Sequence, residues 1–464
     1  MSTNTPRLAS SATAAQGVPQ KGLAVATITV EVRAQPADQL LTDLWNAPEG
    51  SWVKINLNEF SDVWTPLEQR PPLGYNNPAK LLFAWSSMAW DSNRNQLIFW
   101  GGGHANYAGN EVYRFDVRTR LWQRASLPSA IHNPLGDKQF FAIDGPDSAP
   151  TAAHTYDNQE FLPLADRFIT FGGAKFNCCI QWVLLDGVTP TGPYLWDPSR
   201  SGEDMVGGTT GSQVYPAQFP DVIGAQMWDN RDTVVNRGIG ATRPAKFVNG
   251  TTAYMPYGGH DAVYVSESPT TGGRLFQYIV RDPDDPRQDE WRLIGVKGRA
   301  GYSDQGAGAF CPSCNLFVRT ANSGGSNVLA AWDVSKAGPQ NSHVNIYPAD
   351  TTGEFRLTRD HGMDFDSQRE VFALWDGGPD VWYIHPAAIT EPSSWRVARG
   401  PVREDMPTPL KSDGNLTQGS RTKESNGILG KWKYAPRYDV FLGVENAVTG
   451  DIWAYKPAGW SPKL

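Results

Sequence analysis

One sequence pattern recurs along this chain and restricts its fold more than any other feature. An apolar run is followed by a tight polar turn and a second apolar run, often closing on Gly-Gly. It reads MAWDSNRNQLIFWGGG over 88–103, EFLPLADRFITFGG over 160–173 and TAYMPYGGHDAVYVS over 252–266. It returns as AFCPSCNLFVRT over 309–320, MDFDSQREVFALWDGG over 363–378 and WKYAPRYDVFLGV over 432–444. Each copy is followed by a third alternating run: EVYRFDV, PYLWDPS, RLFQYIV, VLAAWDV, DVWYIHP and DIWAYKP. Trp-led fourth runs appear at 121–127, 290–296 and 394–400. Period-two alternation bounded by Gly, Asn, Asp and Pro predicts strands joined by hairpins. Four such strands are one propeller blade. The last copy stops after three runs, and SWVKINL over 51–57 has the form of its missing fourth strand. Pairing the two chain ends would close the ring and leave no open sheet edge. The expectation is an all-β propeller of six blades, with 203–245 long enough to hold part of a seventh.

Composition agrees with a repeat-built β fold. The 464 residues include 46 Gly, 35 Pro, 18 Trp and 16 Tyr, with only 19% charged. That argues against helical bundles and coiled coils, while 11% aromatic residues argue against disorder. The formal charge is −7 from 41 basic and 48 acidic residues, and no basic run stands out, so a nucleic-acid partner is not expected. No 18-residue apolar span is present, so membrane insertion by a helix is not expected either. The start, MSTNTPRLASSATAAQGVPQKGLAV, lacks the charged head and apolar core of a Sec signal peptide. We therefore expect a virion or extracellular location reached by another route, noting that a cytoplasmic adaptor would also lack such a signal. Residues 1–22 read as an extended tail, 24–34 as a strand and 36–48 as a short amphipathic helix with an Asp near its start. The domain reading is an arm over 1–48, suited to docking on other virion proteins, and a propeller over 49–464.

Gly-Gly followed by NEVYRFDVRTRLW resembles a kelch repeat, and residues 50–457 resemble the kelch-type propellers related to that of galactose oxidase. The chain is also similar to bacterial and phage kelch-like proteins carrying GGGHxxYxGNxVY, HTYD and GKWKY, a group mostly without an assigned activity. The resemblance implies the fold. It leaves function open, because kelch propellers serve as enzymes, lectin-like binders and adaptors. No counterpart of the cysteine-crosslinked copper centre is visible, so copper oxidase chemistry, a metal and a cofactor are not expected.

Propeller topology turns sequence order into position. Loops between strands two and three share one face with the connections from strand four to the next strand one. His104, Asn106 and Tyr107 fall in the first kind of loop. His132, His154, Tyr156, Arg359, Asp360, His361 and Lys423 fall in the second kind, with Lys431 just inside a first strand. All should gather on one face, with His260 and His385 on the other. His and Tyr can move protons and Arg or Lys can neutralise a uronate carboxylate, so His104, His154, Tyr156 and Arg359 are the types a polysaccharide lyase needs. The ulvan lyases are similar in using such residues. Asn106, Tyr107, His132, Asp360, His361, Lys423 and Lys431 are the candidate binding residues. The plain alternative stays beside this reading: such residues also cap loops and pack, above all Tyr107.

Cys178-Cys179 and Cys311-Pro-Ser-Cys314 lie on opposite faces of blades two apart, which argues against one four-cysteine metal site. A local disulfide between Cys311 and Cys314 or an intermolecular one is favoured for the second pair, with free thiols as the alternative. The repeated Trp100, Trp196, Trp332, Trp375 and Trp453 have strand-like spacing and belong to the core, whereas Trp64, Tyr107 and Tyr302 are candidate sugar platforms. The acidic run 282–290 reads as a solvated loop. The leading expectation is a glycan-recognising propeller working outside the cell in an assembly, such as a phage tail fibre, spike or decoration protein. Its partners would be surface polysaccharide, other virion proteins and, in an oligomer, further copies of itself. The alternatives are a lyase or depolymerase, and a purely structural virion component.

Overall fold

The computed structural model describes residues 38–74, 76–83, 85–103, 106–178, 181–232, 243–244, 246–298, 304–320, 327–410 and 427–463. It is an all-β six-bladed propeller. Blade I is built from Met88–Asp91, Gln96–Phe99, Tyr113–Asp116 and Leu121–Arg124, and blade II from Gln159–Leu162, Arg167–Thr170, Tyr194–Trp196 and Trp228–Asn230. Blade III runs Thr251–Tyr254, Asp261–Ser266, Leu275–Val280 and Glu290–Gly295, and blade IV Gly308–Cys311, Leu316–Thr320, Leu329–Asp333 and Val344–Ile346. Blade V comprises Gly362–Asp366, Val371–Trp375, Val381–His385 and Arg396–Arg399, with Ala349–Asp350 added parallel at its outer edge. Blade VI joins Trp432–Ala435, Val440–Val444 and Ile452–Tyr455 to Trp52–Lys54 from the other end of the chain. The six first strands touch in a closed ring. Among its described residues the stretch 203–245 holds no seventh blade. Its described part contains the short parallel pair Met205–Val206 and Ile223–Gly224 and the fourth strand of blade II.

Local chemistry fixes the first hairpins. In five blades four residues link the first two strands, and the last of them takes a left-handed conformation: Asn95, Asp166, Asn315, Glu370 and Asp439, with φ of 50–57°. Asn and Asp adopt that conformation more readily than other side chains. The repeated Asp-Ser-x-Arg also ties neighbouring blades. Asp91 and Asp366 each accept two backbone N–H groups of their own turn. Arg94 reaches Asp166 of blade II at 2.5 Å, and Arg369 reaches Asp439 of blade VI at 2.7 Å.

Apolar faces of adjacent blades make the core, and the repeated tryptophans Trp100, Trp196, Trp332, Trp375 and Trp453 are all buried in it. The helix Gln39–Asn46, expected within an arm over 1–48, packs on this core. Leu40 and Leu44 join the cluster between blades VI and I. Asp38 caps the helix and accepts from the Tyr438 hydroxyl at 2.9 Å, and Asp43 pairs with Arg120 at 2.7 Å. The propeller unit thus starts at Asp38 rather than at 49, and residues 1–37, with the expected strand over 24–34, lie outside the described residues. Among the described residues no helix is long and apolar enough to cross a membrane.

Candidate functional site

The register of the first hairpins aligns the first strands with one another. Asp91, Leu162, Cys311, Asp366 and Ala435 each pair with the opening residue of the second strand. One position earlier stand Trp90, Phe161, Phe310, Phe365 and Tyr434, and two positions earlier Ala89, Glu160, Ala309, Asp364 and Lys433. In blade III, where the first hairpin is longer, the Thr252 hydroxyl donates to Glu160 at 3.0 Å. Repetition therefore stacks an aromatic rung on a second rung that is small in blades I and IV and charged in blades II, V and VI.

These rungs line a cavity of about 320 Å³ at the mouth of the central channel, on the face of the first hairpins. Its rim is the first turn residue of five hairpins: Ser92, Pro163, Pro312, Ser367 and Pro436. Its wall is Trp90, Phe161, Tyr254, Phe310, Phe365 and Tyr434, and its charged lining is Glu160, Asp364 and Lys433. The size falls in the usual range for small-ligand sites, roughly 300–1,000 Å³.

The charged groups hold one another. Lys433 Nζ lies 3.5 Å from Glu160 and 3.9 Å from Asp157, a buried residue three positions before Glu160. Asp157 accepts from the Gly308 N–H at 2.7 Å. Asp364 accepts from the N–H groups of Phe365 and Tyr434 at 2.8 and 2.7 Å. Burial pushes the Asp157 carboxyl up to about 8 and that of Asp364 up to about 6, against the pull of Lys433 in both cases. For Lys433, burial opposes the charge, but Glu160, Asp157 and Asp364 outweigh it and keep the ammonium above its usual range. At neutral pH Asp157 therefore holds its proton, while Asp364 and Lys433 are charged. Aromatic faces over a small set of donors and acceptors suit a saccharide, whose ring C–H faces stack and whose hydroxyls hydrogen-bond.

The residues expected from the sequence lie on the opposite face and form a different kind of cluster. His154 is buried, with Nε2 2.9 Å from Asn106 Oδ1 and its ring 4.9 Å from that of Trp85. Tyr156, at 6.2 Å from the His154 ring, is also buried, and burial followed by the charge of Asp304 holds its hydroxyl in the protonated form. Tyr107 is no sugar platform. It is fully buried and its hydroxyl donates to Glu111 at 2.7 Å, beside Tyr113 and Thr65 on the same carboxylate. Lys431 is buried too, and its ammonium donates to Ser86 O, Ser86 Oγ and Gly427 O at 2.9–3.3 Å. Burial lowers it to about 7, more than Asp157 and Asp360 restore.

The structure joins Asn106, His154 and Tyr156. Arg359 keeps 61% of its side chain exposed, 3.8 Å from Asp360. His361 is buried, with Nδ1 3.1 Å from the Thr358 N–H. His132 sits half-buried in a two-residue strand paired with Phe141–Ala142. His104 and Lys423 lie outside the described residues, as does Tyr302. Trp64 is half-buried against Phe60 and Arg70. The acidic run 282–290 is not wholly solvated, since Asp289 is buried and takes two hydrogen bonds from Arg231 at 2.8 and 3.0 Å. A disulfide joins Cys311 to Cys314. Among the described residues no cluster of three or more His, Cys, Asp or Glu is arranged to hold a metal.

Glu160, Asp364 and Lys433 were not singled out by the sequence reading. The signal was present, because aligning the six first strands puts these charges where other copies carry Ala or Thr.

No protein-family model matches the chain, and no curated protein matches it. Solved structures similar to it include a mutant α-L-arabinofuranosidase of Fusarium graminearum in complex with an iminosugar inhibitor. The likeness covers 83% of this chain and 96% of that one at 10% identity, with a TM-score of 0.41. Sqt1 from Chaetomium thermophilum matches over 87% of this chain and 74% of its own at 9% identity, TM-score 0.35. A Bacteroides ovatus xyloglucan-locus protein, GH43B, matches over 85% and 72% at 10% identity, TM-score 0.31. At such identities and scores the likeness says nothing about ligand or activity.

Proposed function

We propose that this propeller binds a glycan, with a sugar unit seated in the channel mouth between the aromatic wall and Glu160, Asp364 and Lys433. The observation that carries the proposal is the cavity itself: six aromatic side chains, one from each blade, surround a charged floor. The balance of charge favours sugars without carboxylates, since Glu160 and Asp364 face a single lining cation that is already committed to acidic partners. This argues against uronate chemistry here, and the lyase alternative on the opposite face would have to work with a His154 bonded to Asn106.

The kelch ancestry, the extracellular setting and the place on a virion, with residues 1–48 docking on other virion proteins, join this proposal on sequence grounds alone. Peptides of this chain in purified phage particles would support that setting, and their absence from particles of the producing strain would remove it.

The test of binding is a glycan screen on the full chain, scored for retention, with Asp364→Asn and Trp90→Leu as paired variants. Retention by the parent protein, reduced at least tenfold in both variants at unchanged melting temperature, is the expected result. Undiminished retention in both would move the site elsewhere.

A further inference from the structure

A second cavity of about 530 Å³ lies between blades IV and V on the same face. It is lined by Ser313, Cys314 and Asn315 from the first hairpin of blade IV and by Glu370 from that of blade V. The strand three-to-four loops supply Asp333 and Ser335 on one side and Pro386 to Ile389 on the other. The same two hairpins also wall the channel mouth, through Pro312 and Ser367. Each hairpin therefore presents its first turn residue to the channel and its later ones to the groove, so the two cavities lie on either side of the same pair of hairpins.

We propose that the groove continues the channel site and holds the next units of an unbranched, uncharged oligosaccharide whose end sits in the channel mouth. This rests on the channel mouth being the glycan seat. The groove has the two-sided chemistry of such a ligand: Ser313, Asn315 and Ser335 offer hydrogen-bonding groups, and Ala387, Ala388 and Ile389 offer an apolar bank for ring C–H faces. Among the described residues that line the two cavities Lys433 is the one cation, against Glu160, Asp364, Asp333 and Glu370, of which Asp333 is bridged by Lys336 at 2.9 Å, so a chain of uronates meets carboxylates at both ends. Both walls are set before any ligand arrives. The Cys311–Cys314 disulfide closes one hairpin, and Arg369, bonded to Asp366, Asp439 and the Ala458 carbonyl at 2.6–2.7 Å, fixes the other. Pre-set walls spare the ligand the cost of ordering them.

The experiment is a length series on the full chain, using cello-, xylo- and arabino-oligosaccharides of one to eight units and oligogalacturonides of the same lengths, read by tryptophan fluorescence and calorimetry. Affinity in one neutral series should rise at least tenfold from two to five units and then level off, with the galacturonides weakest at every length. Ser335→Trp and Ala388→Trp, both at exposed positions, should erase that rise while leaving disaccharide affinity in place. Asp364→Asn should weaken every length alike. A flat length profile, or a rise that survives both tryptophan variants, overturns the groove and leaves the channel seat standing. Absence of binding at every length overturns both.

Discussion

At the centre of the ring, burial and mutual charge decide how protons divide among Asp157, Asp364 and Lys433. An Asp in an unfolded chain gives up its proton near pH 4, whereas Asp157 in the folded protein keeps it to about 8. Between these values the folded state binds more protons than the unfolded one. Stability then falls as pH rises, by at most about 1.4 kcal/mol per pH unit for this group, and the full cost remains above pH 8. Asp364, up to about 6, adds to the decline in the lower half of that window. Asp157→Asn should therefore flatten the loss of stability between pH 5 and 8 in urea unfolding series. A variant curve parallel to the parent would show that Asp157 titrates normally. Glu370 carries a different cost. It holds φ of 56° at a turn position where the equivalent residues are Asn95, Asp166, Asn315 and Asp439. Glu370→Asn should gain about 0.5–1 kcal/mol in the same assay, and a loss would mean that the Glu side chain makes a stabilising contact.

Among the elements, the strand Trp52–Lys54 has the largest effect for its length. Three residues supply the outer strand of blade VI, with Trp52 opposite Tyr455. The Trp52 ring is buried, donates to the Pro379 carbonyl at 2.9 Å and lies 5.1–5.8 Å from Trp375, Trp432 and Tyr455. It thus joins the two ends of the chain to blade V. Trp52→Ala should cost about 3–5 kcal/mol by the usual scale for large buried side chains. A midpoint shift in urea with an unchanged slope would report it, and a shift worth under about 1 kcal/mol would mean that the ring closes without this strand. The first hairpins act at the same scale. Their turns are held by Asp caps, by Arg94 and Arg369 across blade boundaries and by one disulfide, and these same turns form the rim of the cavity.

For the whole molecule, closure creates the site. Glu160, Asp364 and Lys433 come from blades II, V and VI, and Asp157 also takes an N–H from blade IV. No single blade can assemble them. The two faces differ accordingly. On the hairpin face, groups with shifted proton affinity and aromatic rings surround open space, the combination expected of a binding site. On the other face, the described candidates Asn106, His154, Tyr107, His361 and Lys431 hydrogen-bond to one another, to the Glu111 and Ser86 side chains or to backbone, as buried polar groups in a folded core do.

The sequence alone determined the blades. Alternation, Gly-Gly ends and polar turns are local signals, and each follows from the backbone requirements of a hairpin, so strands one to three of all six copies were legible, as was the closing strand around Trp52. The short fourth strands Trp228–Asn230 and Val344–Ile346 were not read, because the first follows a long insertion and the second has no leading Trp. The helix was legible, yet its place on the core was not, since an amphipathic face does not name the surface it covers. Topology put the expected His, Tyr and Lys residues on one face but could not tell exposed from buried, and Tyr107 and Lys431 proved buried. Only the tertiary structure decided the site: residues from 157 to 433 meet because the ring closes, and the same closure excludes the water that would otherwise keep the Asp157 and Asp364 carboxyls at ordinary proton affinity.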